Sequence, residues 1–213
     1  MRVTAIRRER SDAPRLDVYL EGETRLSLPA EVVLKSGIRM GDELEAVQIA
    51  RLRAAGAVWE TREAALALLN RRALTRRDLR RRLLAKQHPP DAVDECLEQL
   101  VRAGLVDEGQ YARAFVRDRL RSRPKGVAAL KAELRGRGLD PETAEQAIRE
   151  TMANESVAEI DLARAAPRPG EESTATRRRL YAFLARRGFS GDAISRILLE
   201  RTGSNEHDHP GET

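Results

Sequence analysis

The sequence predicts a mainly α fold, with three tandem three-helix repeats in an elongated, curved array behind a small β-rich N-terminal domain. Three observations predict it. Apolar residues make up 41% of the 213 residues but aromatics only 3%, so Leu, Ala, Val and Ile must supply the core, which favours helices packed through aliphatic stripes. The first fifty residues alternate with a period of two, whereas the remainder follows a helical period. Within that remainder one pattern is written three times, 50 to 51 residues apart, and a fixed period of this size marks a repeated supersecondary unit.

The β-rich domain is expected over 1–54. In "RLDVYLEGETRLSL", Leu16, Val18 and Leu20 point one way, and Leu26 and Leu28 do so after the turn at Glu21-Gly22-Glu23, which is a hairpin pattern. "VTAI" at 3–6 reads as a further strand. Pro29 opens a short helix through Val32, Val33 and Leu34 that ends at Gly37. "MGDELEAVQI" reads as a turn followed by a last strand.

Repeats are expected over 55–104, 105–152 and 153–202, followed by a disordered polar tail at 203–213. Leu79, Leu130 and Leu180 form one column, with Leu83, Leu134 and Leu184 four residues on. Val93, Ala144 and Ile194 form a third column, and Leu97, Ile148 and Leu198 a fourth. Gly138 and Gly188 stand where a helix needs a left-handed residue after its end, each followed by an apolar residue, Leu139 or Phe189. Asp140 and Ser190 then cap the next helix, and Asp107 caps the start of the second repeat. Gln87-His88-Pro89-Pro90 replaces this punctuation in the first repeat, so its corner is expected to have a different shape. The first helix of each repeat is assigned to 62–72, 109–121 and 155–165, and 166–175 to a loop within the third.

The charge pattern points to a partner. The net charge is +5, with a pI near 9.8, and only Lys35, Lys86, Lys125 and Lys131 are lysines. Arginine's planar fork suits phosphate and carboxylate, so nucleic acid or an acidic protein surface fits; an arginine-for-lysine habit on ordinary surfaces would give the same composition. Residues 71–86 carry eight cations against Asp78, whereas 91–108 are strongly acidic. With Leu79 facing the core, Arg77 and Arg81 lie nearly opposite and Arg80 on the flank. Arg178 repeats the position of Arg77, and Lys131 and Arg135 are the outward cations of the second repeat. Arg117, Arg121 and Lys125 bracket a loop in which Gly126 could let backbone approach phosphate. Lys86, Arg137 and Arg187 share a column at a helix C-terminus, where a cation also complements the helix dipole. The candidate contact residues are therefore Arg77, Arg80, Arg81, Arg117, Arg121, Lys125, Lys131, Arg135, Arg178 and Arg187.

Other functions lack their residues. There is no phosphate-binding GxxxxGK[ST] loop, since "RGRG" at 135–138 is a helix end. Of three histidines, two lie in the tail's "HDH", and no catalytic triad or metal site can be assembled from them. Cys96 reads as a small buried hydrophobe, and Trp59, Tyr111 and Phe115 read as core anchors. No enzyme and no cofactor is expected. No apolar run approaches the ~20 residues of a membrane span, so the expectation is a cytoplasmic protein.

"LTRRDLRRRLL" at 74–84, "GLVDEGQYARAFVRDRL" at 104–120, "GVAALKAELRGRGLDPETAEQAI" at 126–148 and their echo at 178–199 resemble the RecX family of recombination regulators. The N-terminal "RLDVYLEGETRLSLPAEVVLKSGIRMGDEL" resembles the β-rich extension found in part of that family. The resemblance implies a negative regulator of the RecA recombinase, a monomer bound in the groove of the RecA filament on single-stranded DNA. It implies inhibition of ATP hydrolysis, strand exchange and coprotease activity, within DNA repair and the SOS response. Direct binding to single- or double-stranded DNA would be weaker and sensitive to salt. The rival reading is a non-enzymatic DNA-binding protein with helix-turn-helix-like repeats, although no helix combines Asn, Gln or Ser with Arg in the manner of a recognition helix.

Overall fold

The computed structural model describes residues 1–8, 15–22, 24–122, 125–154 and 173–203. It divides into two compact units, Met1–Val106 and Asp107–Thr213.

The first unit begins with β1 (Val3–Arg8), β2 (Arg15–Leu20) and β3 (Arg25–Pro29), an antiparallel sheet in that order. Val18 pairs with Leu26, and Leu16 with Leu28, which places the alternating residues on one face. The hairpin expected around Gly22 closes through the Leu20 amide on the Thr24 carbonyl, 2.8 Å. Helix α1 (Ala30–Ser36) follows and is ended by Gly37; Val32 and Val33 are buried while Leu34 is exposed.

The strand expected in "MGDELEAVQI" is corrected. Arg2 and Glu43 form a single antiparallel bridge, and the chain then enters α2 (Ala46–Leu69). Glu45 and Gln48 form a capping box, with the Glu45 amide donating to Gln48 Oε1 at 2.7 Å. Val47 and Ile49 look like strand alternation, but Ile49, Leu52, Gly56, Val58, Thr61 and Ala65 are buried at helical spacing and Val47 is exposed. Helix α2 therefore runs without a break through residue 54, where the β-rich domain was expected to end. It packs on the sheet so closely that a Cβ at Gly56 would lie 3.1 Å from Leu28 Cδ2.

The C-terminal half of α2 packs with α3 (Arg76–Ala85) and α4 (Pro90–Arg102) as the first three-helix repeat. In the second unit, α5 (Glu108–Ser122), α6 (Val127–Gly136) and α7 (Pro141–Asn154) form the second repeat. Helices α8 (Ser173–Arg186) and α9 (Gly191–Gly203) belong to the third. The first helix expected at 155–165, residues 166–172 of the expected loop and residues 204–213 of the tail lie outside the described residues. All four apolar columns are buried, from Leu79, Leu130 and Leu180 to Leu97, Ile148 and Leu198. Cys96 is buried among them, and burial pushes its thiol pKa up. Trp59 packs against the sheet's core, and Tyr111 and Phe115 against that of the second repeat. The expected caps also form: Asp107 accepts from Gln110, Asp140 from Thr143 and Ser190 from Ala193.

The expectation of a different corner in the first repeat is also corrected. Gln87 takes φ 65°, against 87° at Gly138 and 81° at Gly188. The hydrogen bonds match in turn. The amides of Gln87, Gly138 and Gly188 reach the carbonyls of Leu84, Arg135 and Ala185 at 2.9–3.0 Å. Those of His88, Leu139 and Phe189 reach Leu83, Leu134 and Leu184 at 3.2–3.3 Å. This is one left-handed helix ending used three times. His88 occupies the place of buried Leu139 and Phe189, and its Nδ1 lies 3.1 Å from Thr61 Oγ1. Thr61 commits its one hydrogen to the Ala57 carbonyl at 2.7 Å, so its oxygen accepts and His88 Nδ1 donates. A polar pair thus replaces Ala112 and Leu139 of the second repeat.

Two outcomes follow. Gln87→Gly should raise thermal stability by about 0.5–1 kcal/mol, because relief of left-handed strain exceeds glycine's added entropy in the unfolded chain. Thr61→Ala and His88→Leu should each be less favourable alone than together, since removing both polar partners leaves none orphaned. Denaturant melts of the single and double variants check this.

Candidate interaction surface

The candidate cations separate by what each already touches. Arg80 meets Asp94 through two hydrogen bonds, 2.7 and 3.1 Å, from α3 to α4. That contact holds the Asp94 carboxyl below its usual range. Lys131 meets Glu145 at 2.7 Å from α6 to α7, and lies 51 residues from Arg80, just as Glu145 does from Asp94. One ion pair is therefore written into two repeats, bracing the helices on either side of the corner. The third repeat has Tyr181 and Ser195 at these places. Arg81 pairs with Asp78 one turn earlier, at 3.0 Å.

In the second repeat Lys125 and Arg119 both bond Glu133, Arg119 at 2.9 Å. Burial works to raise the Glu133 carboxyl, but these hydrogen bonds outweigh it and hold the group below its usual range. Arg117 and Arg121 are exposed on α5. Arg187 lies over the Phe183 ring at 4.2 Å. Arg77, Arg135 and Arg178 are exposed, and none makes a side-chain hydrogen bond or ion pair with a described residue. Of the ten candidates these three are the least committed to the fold, one in each repeat.

Gly126, where the loop was expected to let backbone approach phosphate, packs against the third repeat. The Gly126 amide donates to the Arg187 carbonyl at 2.8 Å, and a Cβ on Gly126 would lie 1.9 Å from the Gly188 carbonyl oxygen. A Cβ on Gly188 would in turn lie 2.9 Å from the Ala129 amide nitrogen and Cβ. Backbone meets backbone here, joining the start of α6 to the corner between α8 and α9. The glycine signal was visible in the sequence, but its partner lies 62 residues away and no local pattern names it.

The described residues hold no cluster of three or more metal-ligating side chains. Among them, no helix is long and apolar enough to cross a membrane. A cleft of about 490 Å³ lies between α1, α2 and α4, lined by Ile38, Leu52, Trp59, Arg51 and Arg62 among others. Trp59 Nε1 donates to Glu31 on its wall at 2.8 Å.

Three family profiles match the chain in sequence: the first three-helix domain of RecX over residues 62–100, the second over 107–148 and the third over 162–198. Regulatory protein RecX of Halorhodospira halophila is 41% identical over 146 residues, covering 66% of this chain and 88% of that protein. Regulatory protein RecX of Clostridium beijerinckii is 22% identical over 202 residues, covering 92% and 94%. A crystal structure of regulatory protein RecX superposes with a TM-score of 0.74 at 21% identity, covering 92% of this chain and 98% of the other, and supports the fold.

Gly126→Ala should force the third repeat off the second and destabilise the second unit by about 1–3 kcal/mol. Amide hydrogen exchange should show protection lost first in α8 and α9, with α5 to α7 retaining theirs.

Proposed function

Because this chain belongs to the RecX family, we propose that it is a negative regulator of RecA, binding the RecA–single-stranded-DNA filament along its groove. In this reading it lowers ATP hydrolysis, strand exchange and coprotease activity, acting as a cytoplasmic monomer without a cofactor or catalysis of its own. The observation that carries the proposal is the exposed, uncommitted guanidinium in each of three tandem repeats, Arg77, Arg135 and Arg178. Three tandem repeats on one chain suit a partner that is itself a polymer of identical subunits. One surface charge contributes little, but three contacts on one chain add through effective concentration.

The test is single-stranded-DNA-dependent ATP hydrolysis by RecA, titrated with this protein. Wild type should inhibit well below one molecule per RecA subunit. The triple variant Arg77→Ala, Arg135→Ala and Arg178→Ala should need about tenfold more protein, at three contacts of ~0.5 kcal/mol each, with its melting temperature unchanged. Equal potency of the triple variant would sink the assignment of these residues. Inhibition that begins only once the protein coats the DNA would favour plain DNA binding.

A further inference from the structure

Between Arg117 and Arg137 the chain carries eight cations and two carboxylates, Asp118 and Glu133. Three of those cations converge on Glu133 from different parts of the second repeat. Arg119 of α5 reaches it at 2.9 Å and Arg137 of the corner at 4.0 Å, while Lys125, from the segment leading into α6, bonds its other oxygen. Phe115 anchors two of them, with the guanidinium carbons of Arg119 and Arg137 lying 4.7 and 4.2 Å from its ring centroid. The cluster is thus held in place from below and is not merely a set of loose surface charges.

The repeats show that the fold does not need a carboxylate there. Counting back 51 residues from Glu133 gives Arg82, and counting forward 50 gives Phe183, over which Arg187 stacks. The same corner closes over an acid, a base and an aromatic ring. Glu133 therefore has a local electrostatic task, which is to neutralise cations that the second repeat has gathered in excess. Its side chain is 21% exposed and those of Arg119, Lys125 and Arg137 are 26–34% exposed, so an anion from solvent can reach the cluster.

We propose that Glu133 occupies the place of a backbone phosphate, so that the second repeat carries a self-masked site for single-stranded nucleic acid. A phosphate displaces the Glu133 carboxylate and takes over the hydrogen bonds of Lys125 and Arg119, while the excess cations nearby draw the strand in. A single strand fits because its phosphates can turn toward a compact cluster, and charge-assisted bonds of this kind carry no base sequence. The inference rests on the reading above only for the nature of the polyanion, and its test uses nucleic acid without RecA.

The experiment is fluorescence anisotropy with a labelled oligodeoxythymidylate across a salt series. Glu133→Gln should bind roughly threefold to fivefold tighter at low salt, with the slope of log K against log salt steeper by about 0.7 for one added phosphate contact. Glu133→Phe copies the third repeat and should show the same gain, which keeps the measurement available if Gln lowers stability. Glu145→Gln removes the same unit of charge from the Lys131 pair and should gain much less. Adding Lys125→Gln to Glu133→Gln should cancel the gain. No gain in either Glu133 variant, or an equal gain in Glu145→Gln, overturns the proposal. Wild-type inhibition of RecA is measured beside it, so a failed masking site and a failed RecA reading are told apart.

Discussion

The fold depends on a single backbone event, the left-handed residue that ends the middle helix of each repeat. Once Gln87, Gly138 or Gly188 takes positive φ, two amides fold back onto the last turn and the chain leaves at a fixed angle. That angle brings the two helices together along the buried columns that begin at Leu79, Leu130 and Leu180. The middle helices of the first two repeats have only ten residues each, too short to persist alone in water. Their stability is therefore borrowed from the corner and from the column it aligns.

The same geometry governs the charges. By setting the last two helices of a repeat side by side, the corner lets Arg80 find Asp94 and Lys131 find Glu145. Two cations of the apparent basic stripe, Arg80 and Lys131, are thus engaged sideways by acidic partners fourteen residues later in the chain, at the surface of the repeat. Net charge along the sequence overstates what a partner meets. Among the candidate cations, Arg77 and Arg178 stand outside this bracing, and Arg119, Lys125 and Arg137 crowd around Glu133.

Much of this was legible in the sequence because it is periodic. The columns, the caps at Asp107, Asp140 and Ser190, and the hairpin around Gly22 each rest on residue type at a local spacing. Three features were not legible. Gln87 hid a corner that glycine advertises elsewhere, because the tertiary column forced an unfavourable backbone onto an ordinary residue. Val47 and Ile49 imitated a strand, and only the capping box at Glu45 and the buried series running on to Ala65 identify a helix. The partners of the cations depend on cross-helix distance, so the sequence shows Arg80 as a flank charge and Lys131 as an outward one but names neither Asp94 nor Glu145 as partner.

Helix α2 has a mechanical consequence. Its 24 residues make a rod of roughly 36 Å, at 1.5 Å per residue. One end is gripped by the sheet and α1, and the other serves as the first helix of the first repeat. A rod shared in this way behaves as a lever rather than a hinge. Anything that takes hold of the sheet turns α3 and its arginines with it, and any load on α3 is felt at the sheet.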